Sequence, residues 1–95
     1  MRLDSAALRA VADRFSAAAD LIDDAVVNHL ARLMFDGARA GRVHAARGDA
    51  LRVNLDRLAG ELSHWSRAAR EIAAALRAGA ERYADADGYA AARIT

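Results

Sequence analysis

Apolar positions recur through the second half of the chain at alternating steps of four and three: Leu51, Leu55, Leu58, Leu62, Trp65, Ala69, Ile72, Leu76, Gly79 and Tyr83. An unbroken a/d spacing of this length predicts one long helix with an apolar edge turned toward another helix. It is expected from about Ala50 to Asp87, with Asp49 as N-cap, Gly88 as the stop and a loose tail over 88–95. The first half carries a similar line: Leu8, Val11, Phe15, Ala18, Ile22, Ala25 or Val26, His29 and Leu33. A helix from about Ser5 to Phe35 follows, opened by Asp4 as N-cap, with Leu3 and Leu8 as a hydrophobic staple. Between the two, Gly37, Gly41 and Gly48 mark a turn region over 36–48.

Two long helices joined by a short connection prefer to lie antiparallel. The predicted fold is therefore an all-α, antiparallel two-helix hairpin forming a single domain over 1–95. With the turn centred near Arg42, residue i faces roughly residue 84 − i. Phe15 then meets Ala69, and Trp65 meets the Ala17-Ala18-Ala19 run, so large side chains face small ones as close packing requires. The expected core is Leu8, Val11, Phe15, Ile22, Val26, Leu33, Leu51, Leu55, Leu58, Leu62, Trp65, Ile72 and Leu76. One shared seam barely offsets the entropy of ordering about 90 residues. A second strip on the first helix, Leu21, Val27, Leu30, Met34 and Phe35, is accordingly expected to be a partner interface that completes a four-helix bundle.

Composition supports the helical reading and narrows the chemistry. Alanine supplies 27 of the 95 residues, and Pro and Cys are absent. Disulfide and thiolate chemistry are excluded. The net charge of +1 comes from 14 basic residues, all Arg, interspersed with 13 acidic ones. That lacks the basic excess of a nucleic-acid module, so no nucleic-acid partner is expected. No apolar run has the length of a signal-peptide core or a membrane span, and no membrane insertion is expected. His29, His44 and His64 fall at different heights of the hairpin and cannot share one metal. His29 reads as a polar seam residue, and His64 as a partner for Asp20 or Asp24. Arg57–Glu61, Arg67–Glu71, Arg77–Glu81 and Arg52–Asp56 read as i,i+4 ion pairs on a wet face. No phosphate loop, metal spacing or nucleophile–base pair is present, so neither catalysis nor a cofactor is expected.

One element remains. Tyr83 and Asp87, at i and i+4, share a helical face. In the register above they project past the start of the first helix. Together with Leu3-Asp4, Ala7-Leu8-Arg9, Ala17-Ala18-Ala19-Asp20-Leu21, Trp65, Ala68-Ala69-Arg70-Glu71-Ile72 and Leu76-Arg77, this pair makes the chain resemble the EspC-like group of type VII (ESX) secretion-associated proteins of actinobacteria, relatives of the WXG-type helical hairpins. Trp65 is followed by Ser66-Arg67 inside the second helix, so it is not the turn tryptophan of those relatives. The resemblance implies a non-enzymatic secretion substrate or secretion-associated protein acting as a dimer, with itself or with a related small helical protein. It implies export without a cleaved signal peptide, from a cytoplasmic pool to the cell surface or medium. Tyr83 and Asp87 would be the secretion signal read by the type VII secretion ATPase. The alternative expectation is a cytosolic module that binds the helical hairpin of a larger effector or toxin.

Overall fold

The computed structural model describes residues 4–41 and 45–94. The chain is all-helical. Helix α1 spans Ser5–Asp24, a π-helical turn spans Ala25–Leu30, α2 spans Ala31–Gly41, and α3 spans Ala45–Ile94. Asp4 opens α1 as expected: its backbone is extended and its carboxylate accepts from the Ala6 N–H at 3.0 Å. Leu3 of the staple, and Val43 and His44 of the turn, lie outside the described residues.

The helices are longer than the glycines predict. Gly37 and Gly41 lie inside α2, Gly48 inside the first turn of α3, and Gly88 inside its last two turns. Of the expected turn over 36–48, residues 36–41 and 45–48 are helical and 42–44 lie outside the described residues; Asp49 is not an N-cap, and the expected tail over 88–95 is helical to Ile94. A glycine costs a helix about 1 kcal/mol relative to alanine. None of these has positive φ, and the helix runs on through Gly37, Gly48 and Gly88, whereas Gly41 is the last residue of α2.

The two long helices lie side by side and run in opposite directions, forming a rod of 78 × 18 × 15 Å. Ser66 sits against Ala19, so residue i faces residue 85 − i, one residue from the expected register. The rotation about each helix axis differs more. The innermost positions are Ala12 and Ala19 on one helix and Ser66, Ala73 and Ala80 on the other; the four alanines have no exposed surface. Each stands one residue after a position expected in the seam (Val11, Ala18, Trp65, Ile72, Gly79). At 100° per residue, exchanging half of a stripe for its next neighbours turns it by roughly 50°. A seam of alanines lets the backbones approach at the near end of the usual 8–10 Å range, and the bulky residues move to the margins. Leu8, Phe15, Ile22, Val26, Leu55, Leu62 and Leu76 are half-buried. Val11, Leu33, Leu51, Leu58, Trp65 and Ile72, expected in the core, are exposed.

The π turn sets the far end of this seam. There the inward line runs Ile22, Val26, Leu30, Met34, in three successive steps of four. In an α-helix each such step over-rotates by roughly 40°. A wider turn absorbs the surplus and keeps Leu30 buried, 8% exposed. His29 and Leu33, expected inside, consequently face out. Asn28 donates to the Asp24 carboxylate across the turn.

Candidate functional site

The helix pair has two broad faces of opposite character. On one, acids of α1 meet arginines of α3. Arg77 donates to Asp13 at 3.0 Å and to the Ser16 hydroxyl at 2.9 Å; Arg70 donates to Asp20 at 2.9 Å and also to Asp23. The seven-residue steps from Asp13 to Asp20 and from Arg70 to Arg77 place both pairs on one side of the seam. Ser66, 2% exposed, reaches the Ala19 carbonyl at 3.4 Å, long for a hydroxyl donor. The nearby Ser66 hydroxyl, followed by the Arg70 guanidinium, holds the Asp23 carboxyl below its ordinary value. The same carboxyl, followed by Asp20, raises the Arg70 guanidinium. These groups are solvent-exposed, so they orient the helices more than they stabilise them.

This pattern corrects several expected pairs. Arg77 reaches across to Asp13 instead of along its own helix to Glu81, and Arg52 turns back to Asp49 at 3.5 Å instead of forward to Asp56. Arg57–Glu61 and Arg67–Glu71 do not form ion pairs in the described structure. Asp20 meets Arg70 and Asp24 meets Asn28, so neither takes His64. Arg77 has Glu81 four residues on along its own helix as a competing partner at the level of spacing, whereas Arg70 has no acid three or four residues away on α3.

The opposite face is apolar. Phe15, Ala18 and Ile22 of α1 and His64, Trp65, Ala68, Ala69 and Ile72 of α3 line a groove of about 390 Å³. Phe15 and Ala69, and Trp65 and Ala18, which the register brings near one another, all line this groove. They occur at the surface, however, and Trp65 is 67% exposed. The face continues through Val11 and Leu58, also exposed. Of the expected partner strip, Leu21, Val27 and Phe35 are exposed and Met34 half-buried, while Leu30 belongs to the seam between the helices.

The third feature is an overhang. Ser5 faces Ala80 in the observed register, so residues 81–94 of α3 continue for about 20 Å past the start of α1. Tyr83 is 46% exposed on this segment, and Asp87 is exposed one turn on. Ala84, not Tyr83, continues the inward line. Beyond them Arg93 lies over the Tyr89 ring, 5.2 Å from its centre, a cation–π contact. The predicted tail concealed this last pair, although the Pro-free, Ala-rich run from Tyr89 to Ile94 is a helix-forming signal. Among the described residues no three His, Asp or Glu side chains converge as metal ligands, and no helix is long and apolar enough to cross a membrane.

Residues 1–76 match a family of unknown function, DUF7162, and the chain belongs to that family. The matched span contains the whole groove and the Arg70 contacts, and it stops one residue before Arg77 and short of Tyr83. No curated protein and no solved structure matches the chain.

Proposed function

We propose that this DUF7162 member is a non-enzymatic, type VII secretion-associated protein. It would be a helical hairpin that pairs with a second helical hairpin as a four-helix bundle and offers Tyr83 and Asp87 to the secretion ATPase. The observation that carries the reading is the overhang. Tyr83 and Asp87 lie on one side of a helix that has outrun its described partner, where a receptor can reach both without disturbing the seam. The resemblance to EspC-like proteins supplies the receptor class. Before export the chain would be cytoplasmic, and afterwards at the cell surface or in the medium.

The test is Tyr83→Ala and Asp87→Ala, expressed in a host with a working type VII system. Each variant should vanish from the culture filtrate, accumulate in the lysate and keep its far-UV circular dichroism. Export of both at the unsubstituted level would defeat the proposal.

A second reading is favoured by the extent of the family match, which covers the groove and ends short of Tyr83. In it the chain is a cytosolic pairing module for the hairpin of a larger effector or toxin, and the overhang is dispensable. Retention in the lysate in a stable complex with one large protein encoded nearby, unaffected by Tyr83→Ala, would select it.

A further inference from the structure

The chain has an accessible surface of 7304 Å². A compact protein of 10.1 kDa is expected to expose about 5,300 Å². The excess, about 2,000 Å² per chain, has the size of an obligate interface rather than a transient contact. Its cause is visible in the core: among the described residues no large side chain is fully buried, and the innermost positions are alanines and one serine. Of the two broad faces, only the apolar one can supply the missing burial. The other broad face is occupied by Asp13, Asp20, Asp23, Arg70 and Arg77 in contact with one another.

The apolar face also carries both halves of a self-complementary fit. Trp65 projects as a knob, and Ala18 and Ala68 beside it leave a hollow. A two-fold axis lying in the plane of the interface, between knob and hollow, brings each knob to the other copy's hollow, as an isologous interface requires. The groove lining contains no Asp, Glu or Arg, so two copies meet without opposing like charges. We propose that the occupant of the groove is a second copy of this chain, packed face to face with Trp65 of each seated in the alanine hollow of the other. This rests on the pairing reading above and names its partner and its face. The strip of Leu21, Val27 and Phe35 is left outside the interface.

The chain's single tryptophan reports on the groove directly. Sedimentation equilibrium and Trp65 fluorescence are measured on the same dilution series of the full chain. The mass should double from 10.1 kDa as concentration rises, with a blue shift of the emission and a loss of iodide quenching over the same range. Ala18→Glu places an unpaired charge in the hollow without touching the seam, and should weaken association at least about tenfold, the equivalent of 1.4 kcal/mol. Leu21→Arg, on the outer side of α1, should leave association unchanged. A dimer whose tryptophan stays exposed and quenchable would overturn the proposed face while leaving pairing intact. A chain that is monomeric alone, yet buries Trp65 on binding a co-expressed helical protein of different sequence, would overturn the second copy as occupant. A monomer under both conditions would overturn this proposal and the pairing reading together.

Discussion

Ala73→Leu tests the alanine seam most severely. Ala73 and its counterpart Ala12 have no exposed surface, and their positions sum to 85, as Ser66 and Ala19 do. Leucine adds three carbons. Were there room for them, burial would stabilise the chain by about 2.4 kcal/mol, at about 0.8 kcal/mol for each. With both alanines fully enclosed there is no void to fill, and the new side chain must push the helix axes apart. Separation also lengthens the cross-helix contacts on either side, Arg77–Asp13 at 3.0 Å and Ser66–Ala19 at 3.4 Å. Overpacking of this kind costs a net 1–3 kcal/mol. For a domain of this size that lowers the melting temperature by about 5–20 °C. The assay is thermal unfolding by circular dichroism, at one protein concentration for both chains because association raises apparent stability. The control is Ile72→Leu, one residue earlier on the exposed margin, which should change the midpoint little. If Ala73→Leu melts higher than the parent chain, the seam is not closely packed and the rotation described above is wrong.

Three further outcomes follow from particular contacts. A Cβ at Gly60 or Gly88 would meet nothing within 4 Å, so Gly60→Ala should stabilise α3 by about 1 kcal/mol, read as a rise in melting temperature, and Gly88→Ala should raise helicity without moving the main transition. Asp23 has its carboxyl below the ordinary value in the folded chain. Its contribution is therefore present above the unfolded value of about 3.9 and is lost as pH falls through the lower, folded value; melting temperature should fall on the acid side, less steeply in Asp23→Asn. Ser66→Ala extends the alanine seam and removes the hydroxyl that, with Arg70, holds the Asp23 carboxyl down; a carbon-13 titration should show the Asp23 carboxyl moving back up, with little change in stability at neutral pH.

Much of this arrangement is legible from spacing alone. The steps of three and four identify both helices, and a turn centred near Arg42 gives the register to within one residue. The rotation is not legible by the same means, because each helix carries two adjacent heptad lines, one bulky and one of small residues, either of which could face inward. Trp65 and Ile72 stand beside Ser66 and Ala73, and Val11 and Ala18 stand beside Ala12 and Ala19. Weighing residues by hydrophobicity selects the bulky line, whereas close approach of two backbones selects the small one. The seven-residue repeat of small residues at 59, 66, 73 and 80 is the signal that would have decided it. The turn was misread for a related reason: glycine is a breaker only where its neighbours do not favour helix, and here alanine and arginine surround it. The candidate site divides the same way. The overhanging Tyr83 and Asp87 follow from register, while the Trp65 groove follows only from rotation.

The overhang has a thermodynamic character of its own. A free segment the length of residues 81–94 is too short to nucleate a stable helix in water. It is helical because α3 is already wound up to Ala80, and each further turn only propagates. Its order should therefore decay with distance from that anchor. Tyr83 lies within the first turn, Asp87 in the second, and Tyr89 with Arg93 near the fraying end. Amide exchange should lengthen step by step from Ile94 back to Ala80. Loosening the paired body anywhere near Ser5 and Ala80 should melt the segment that carries Tyr83 and Asp87. The spacing between those two side chains is thus set at a distance, by the closure of the helix pair beneath them.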